Sequence, residues 1–99
     1  SLITKIIEDR IADPDLNINV LCELARVSQK QLYRKVKQLT GLTTVEYIKS
    51  IRMKKAAVLL SNKNFTVAEV MYMVGFSSHS YFAKCFYSAF GKTPRQLVD

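Results

Sequence analysis

The feature that most constrains this chain is that its second half repeats its first. A shift of 49 positions carries Asn17 onto Thr66, Leu21 onto Val70, Ala25 onto Val74 and Val27 onto Phe76. After one inserted residue a shift of 50 carries Leu32 onto Phe82, Arg34 onto Lys84, Val36 onto Phe86, Gly41 onto Gly91 and Thr43 onto Thr93. Capping residues fall on capping residues, apolar on apolar, and the terminating glycines on each other. A pattern of that kind implies one supersecondary unit built twice. Its period points to a helix, a short turn and a second helix, with residues 44–60 forming a further helix between the copies.

The breakers agree. Glycine stands only at 41, 75 and 91 and proline only at 14 and 94, while Leu, Ile, Ala, Lys and Glu recur at helical spacing. A first helix is expected over 2–12, with Leu2, Ile3, Ile6, Ile7 and Ile11 on one side, broken by Asp13-Pro14-Asp15. Asn17 is placed to cap a second helix over 18–25. Ser28 with Gln31, and Thr66 with Glu69, have the spacing of reciprocal N-terminal caps, so helices are expected to open there. The first of these ends at Gly41 and the second before Gly75. A sixth helix spans about 78–90, closed by Gly91, and Thr93 caps a last turn with Pro94 at its first position. The expected fold is all-α: about seven helices, with a first helix-turn-helix subdomain at 1–43, a linking helix and loop at 44–62, and a second helix-turn-helix subdomain at 63–99.

Fifteen Lys and Arg against eight Asp and Glu give a net charge of +7, which favours polyanionic partners. The charge is unevenly placed. Residues 1–23 carry five acids against Lys5 and Arg10, whereas 26–55 carry nine bases and the single acid Glu46. With 48% apolar residues spread along its length, the chain is expected to fold around a core. Two cysteines (Cys22, Cys85) and one histidine (His79) cannot assemble the four ligands of structural zinc, so no metal and no cofactor are expected. No nucleophile–base set is evident, so no enzyme is expected. Cys22 reads as core, Cys85 as core or a half-exposed thiol, and the tyrosines and phenylalanines as core before anything else. The two scattered cysteines point to a reduced, cytoplasmic setting, and no apolar run approaches the ~18 residues of a membrane span, so no membrane contact is expected. Opening on Ser1 and closing just past the second unit, the sequence reads as a piece of a longer polypeptide.

A helix-turn-helix needs one stripe that holds its second helix to the first and an opposite stripe free to enter a DNA groove. Within 28–41, Leu32, Val36 and Leu39 suit the inner stripe. Lys30, Tyr33, Arg34 and Lys37 follow an i, i+3, i+4, i+7 spacing and share the outer one. Such a face suits the major groove: an Arg34 guanidinium matches guanine O6 and N7, and a Tyr33 ring packs on a thymine methyl. A plain solvated helix face would look the same. Within 78–91 the inner stripe is Phe82, Phe86 and Phe90; the outer positions are Ser80, Ala83, Lys84 and Tyr87, with His79 near the start as a solvent-facing or base-edge donor.

The run from Val74 to Arg95, with Gly75-Phe76, Ser80-Tyr81-Phe82, Phe86, Phe90-Gly91 and Thr93-Pro94, resembles the signature of the AraC/XylS family of bacterial transcription regulators. Leu24-Ala25, Ser28, Leu32-Tyr33-Arg34 and Leu39-Thr40-Gly41 are similar in the first half, so the resemblance covers about residues 3 to 99. It implies a homeodomain-like tandem of two helix-turn-helix subdomains on a stiff linking helix, binding double-stranded DNA for transcription regulation. A linker of about 17 residues is about 25 Å long. It can set two reading helices near one turn of DNA apart, about 34 Å, with DNA bending closing the shortfall. Carried over position by position, the base-reading residues are Lys30, Tyr33 and Arg34, then His79, Ser80 and Lys84. Phosphates are met at helix N-termini near Thr66 and Thr93, by Lys37 in the basic cluster, and by Arg95.

The site implied is asymmetric and about 20 base pairs long, with RNA polymerase subunits as a further partner. The stretch 32–43 also resembles the output domains of hybrid two-component regulators, in which a sensor kinase and a receiver precede the DNA-binding domain. One departure stands out: Arg26 occupies the first turn where the family usually has glycine, as Gly75 does in the second. If that turn requires positive φ, Arg26 carries roughly 1 kcal/mol of strain. A competing reading from another class is a basic helical module that docks on an acidic protein; it predicts no preference for duplex DNA over other polyanions.

Overall fold

The computed structural model describes residues 1–98. These form seven α-helices and no strand: α1 (Leu2–Asp9), α2 (Ile18–Ala25), α3 (Gln29–Thr40), α4 (Thr44–Ser61), α5 (Val67–Met73), α6 (His79–Phe90) and α7 (Pro94–Val98). Their starts are fixed by side-chain caps. Ser28 Oγ accepts from the Gln31 amide at 3.1 Å while Gln31 Oε1 accepts from the Ser28 amide at 2.9 Å. Thr66 and Glu69 close the same reciprocal pair at α5. Thr43 with Glu46 at α4, and Thr93 with Gln96 at α7, are two more. Gly41 and Gly91 end α3 and α6 in the left-handed region, at φ of 75° and 69°. Helix α1 stops at Asp9, short of the expected residue 12. Pro14 disfavours helical backbone at Asp13, whose carboxylate instead accepts from the Asp15 amide at 2.9 Å and turns the chain.

The repeat extends to the backbone of the turns. Val27 N–H donates to the Cys22 carbonyl at 3.1 Å, and 49 positions on Phe76 N–H donates to the Met71 carbonyl at 3.0 Å. Arg26 and Gly75, one residue earlier, have φ of 56° and 85°. The first turn therefore adopts the left-handed conformation with an arginine in it, as the sequence departure implied.

Two apolar cores result. Ile3, Ile7, Leu16, Leu21, Leu32, Val36 and Ile48 make the first; Met53, Ala56, Leu59, Leu60, Val70, Met71, Val74, Phe76, Phe82, Cys85 and Phe86 make the second. Helix α4 supplies Ile48 to one and Met53, Ala56, Leu59 and Leu60 to the other. The expected connector is thus a core helix of both units, and its apolar residues do not gather on one stripe. Its 18 residues span about 27 Å.

Several expectations fail at the edges of these cores. Leu39 and Phe90, expected inside, are 63% and 42% exposed. They lie in the last turns of α3 and α6, although Phe90 still rests on Phe86 with ring centroids 4.8 Å apart. Leu2 is exposed and Ile6 and Ile11 only half-buried, leaving Ile3 and Ile7 as the buried side of α1. Cys22 is half-buried rather than core, and Cys85 is buried. Tyr33 and Tyr87 are exposed, in keeping with their outer-face positions, whereas Tyr72 and Tyr81 are exposed against the expectation of core tyrosines. Tyr47 alone is half-buried, its hydroxyl 2.7 Å from Thr4 Oγ1. A tyrosine places its apolar ring on a surface with its hydroxyl in water at little cost, and this chain has leucine, isoleucine and phenylalanine enough to fill both interiors without it.

Candidate nucleic-acid interface

Helix α3 buries Leu32 and Val36 against the first core and leaves Lys30, Tyr33, Arg34 and Lys37 exposed on the opposite side. The ring of Tyr33 is half open to solvent amid those three cations. Helix α6 buries Phe82, Cys85 and Phe86 and exposes His79, Ser80, Lys84 and Tyr87. Ala83, expected on the outer face, is half-buried because it lines a groove against α7. That leaves α6 a narrower and less cationic outer face than α3.

The groove beside α6 holds about 600 Å³ and gathers Thr66, Val67, Ala68, His79, Thr93 and Arg95. Four residues singled out from the sequence, on three helix starts, therefore meet in one place. The caps narrow what the helix ends offer there. The amides of Thr66 and Thr93 already donate to Glu69 and Gln96 at 2.9 and 2.8 Å. What α5 still presents is the N–H pair of Val67 and Ala68 in its first turn, which have no intrahelical acceptor. An anion in this groove would meet those two amides, the positive end of the helix and the exposed Arg95. Lys37 stands apart, near the start of α4, where its charge helps lower the pKa of Glu46. The main cause of that lowering is the Thr43 amide, which donates to the Glu46 carboxylate at 2.8 Å.

A second cleft, of about 680 Å³, lies between the two units. Gln29 at the start of α3 lines one wall, Ser78 and Tyr81 at the start of α6 line the other, and Lys49 and Arg52 of α4 lie between them. Both second helices thus open their N-terminal ends onto one space. Lys49 Nζ lies 5.7 Å from the centre of the Tyr81 ring, and Gln29 Nε2 donates to Asn19 Oδ1 at 2.7 Å. The body measures 42 × 22 × 22 Å, so its long axis exceeds the ~34 Å of one turn of B-form DNA.

Lys49 and Arg52 were not among the residues expected from sequence, because residues 44–60 read as a spacer. The signal was present: two cations one turn apart on a helix that also has to serve two cores. Burial lowers the Arg52 pKa, and its Nε is enclosed with no acceptor among the described residues. None of the described helices is long and apolar enough to cross a membrane.

Two helix-turn-helix units, each exposing one face of its second helix and both opening onto one cleft, define a tandem helix-turn-helix domain of the kind that binds double-stranded DNA in transcription regulation. A family of helix-turn-helix domains matches residues 21–99, and the chain belongs to it as an AraC-type domain. The chain is 38% identical over 95 residues to histidine kinase P4 of Formosa agariphila, covering 96% of this chain and 7% of that protein. It is 33% identical over 91 residues to the HTH-type transcriptional activator RhaS of Shigella boydii, covering 92% of this chain and 32% of that one. It therefore spans a small part of the length of either relative. The crystal structure of the C-terminal domain of the two-component response regulator yesN from Fusobacterium nucleatum superposes with a TM-score of 0.88 at 31% identity, covering 99% of this chain and 95% of that one.

Proposed function

We propose that the domain reads one DNA duplex with both units at once, in successive segments of the major groove. Lys30, Tyr33 and Arg34 of α3 and His79, Ser80 and Lys84 of α6 contact base edges. Lys37, Arg95 and the helix starts capped by Thr66 and Thr93 hold phosphates, and Lys49 meets the backbone where it crosses the inter-unit cleft. The observation that carries this reading is the shared cleft, onto which the starts of α3 and α6 both open. In this reading 1–43 and 63–99 are the reading subdomains and 44–62 joins them.

Two similar proteins support a role downstream of a sensor: one is the C-terminal domain of the two-component response regulator yesN, and another is named a histidine kinase. On that ground the domain is the cytoplasmic output module of a larger sensor or regulator, contributing binding rather than catalysis and touching RNA polymerase subunits at promoters.

The test is selection of bound fragments from random duplex at two salt concentrations. An asymmetric site of about 20 base pairs is expected, with affinity falling steeply with salt as phosphate contacts release counterions. Arg34→Ala is expected to cost about 1–3 kcal/mol on the selected site and to relax one base position. Equal losses on selected and random duplex would remove Arg34 from the reading set. Binding no tighter to duplex than to heparin would favour docking on an acidic protein instead.

A further inference from the structure

We propose that Arg52 sets the distance between the two reading helices, and with it the number of base pairs the protein accepts between its two contacted DNA segments. This rests on both units engaging one duplex. Arg52 lies midway along α4 and is 9% exposed. Its Nη2 donates to the Asp13 carbonyl at 2.7 Å, in the connection between α1 and α2, and its Nη1 donates to the Gly75 carbonyl at 3.3 Å, in the turn between α5 and α6. One guanidinium therefore holds the backbone of both units.

The second turn is fitted closely around that group. A Cβ on Gly75 would stand 2.5 Å from the Ile11 carbonyl oxygen and 2.9 Å from Arg52 Cζ. At this one point the first unit's loop, the middle of α4 and the second unit's turn are in contact. The Arg52 guanidinium carbon also lies 5.9 Å from the centre of the Phe76 ring, next to that turn.

Packing alone does not call for arginine here. A buried charge is costly, and an apolar side chain of similar volume stabilises a buried site as well or better. What a methionine cannot supply is a planar fork with donors in fixed directions. The two bonds fix how far, and at what rotation, the second turn sits from the first unit's loop. The cores on either end of α4 hold each unit to the helix, but among the described residues only Arg52 hydrogen-bonds to both units across it.

DNA turns by roughly 35° and advances about 3.4 Å per base pair, since one turn takes about 10–10.5 base pairs over about 34–36 Å. A change of one pair between the segments therefore displaces the second one in both angle and distance. The selected site is resynthesised with one base pair removed or added between the two segments, and affinities are measured for the unmodified chain, Arg52→Met and Arg52→Lys. The unmodified chain is expected to lose about tenfold for either change. Arg52→Met is expected to bind all three spacings within about threefold of one another, and Arg52→Lys, able to reach one carbonyl at a time, to fall between. The readout is the ratio between spacings at a temperature where circular dichroism shows each variant folded, which a loss of stability alone does not move.

Gly75→Ala, which forces the second turn off the Ile11 carbonyl, is expected to shift or broaden the preferred spacing with Arg52 intact. It serves if Arg52→Met does not fold, and an unchanged spacing ratio in Gly75→Ala and Arg52→Lys then overturns the assignment. A folded Arg52→Met that keeps the unmodified spacing ratio overturns it outright. If the unmodified chain itself shows no dependence on spacing, the two-headed reading fails, and the role of Arg52 with it.

Discussion

The two turns of this molecule share one backbone conformation and obey different rules. Arg26, at the end of α2, and Gly75, one residue past the cap of α5, both lie in the left-handed region, each followed by the same hydrogen bond back to the preceding helix. At the second turn a carbonyl and a guanidinium stand where a Cβ would go. The comparison teaches that positive φ alone does not make glycine obligatory. It costs an ordinary residue about 1 kcal/mol, which a domain can absorb; crowding by neighbouring backbone it cannot.

The interiors differ as well. The first core is aliphatic, whereas the second adds to its aliphatic residues a ladder of rings in which Phe76, Phe82, Phe86 and the exposed Phe90 follow one another at centroid distances of 5.3, 6.1 and 4.8 Å. The largest effect is therefore expected from Phe82→Ala, at about 3–5 kcal/mol, against about 2–5 kcal/mol for Leu32→Ala in the equivalent first-unit position. Thermal unfolding should remain one transition in both variants; a separate early step in either would show that the cores melt independently. Next is Gly75→Ala, at about 2–4 kcal/mol from strain and overpacking together, a loss of roughly 10–20 °C in Tm for a domain of this size.

Arg26→Gly should move the other way, gaining a few tenths to about 1 kcal/mol as strain is relieved. A loss of stability there would mean that the Arg26 side chain holds something the backbone does not reveal. The smallest effect concerns the equivalent caps Thr43–Glu46 and Thr93–Gln96, of which only the first titrates. The Glu46 pKa is lowered from 4.5 in the folded state, so its contribution is present above that value and lost as the pH falls through the lowered one. Glu46→Gln should flatten the fall of Tm on acidification. The same slope in both proteins would show that the charged cap adds nothing.

Much of this was legible in the sequence because the signals are local. Asn17, the Ser28–Gln31 and Thr66–Glu69 pairs, and Gly41, Gly75 and Gly91 each mark a boundary through hydrogen bonds within a few residues. Apolar residues four apart placed Leu32 and Val36, and Phe82 and Phe86, inside, and hence Tyr33, Arg34 and Lys84 outside. What could not be read was set by distant partners. Leu39 and Phe90 continue their stripes on paper but lie in last turns where little core remains to cover them. Helix α4 looked like a spacer since no periodicity reveals that its first turns serve one interior and its later turns another. Arg52 joined a surface pattern of cations until the fold put two carbonyls around it, from residues 39 and 23 positions away.

Because a single helix completes both interiors, the protein has no seam at which it could be parted. Cutting the polypeptide between Ile48 and Met53 would strip a wall from each side, and neither fragment would retain a closed centre. A segment of duplex that steadies one end thus opposes fraying at the other, so occupancy of either half is expected to raise protection from amide exchange in both.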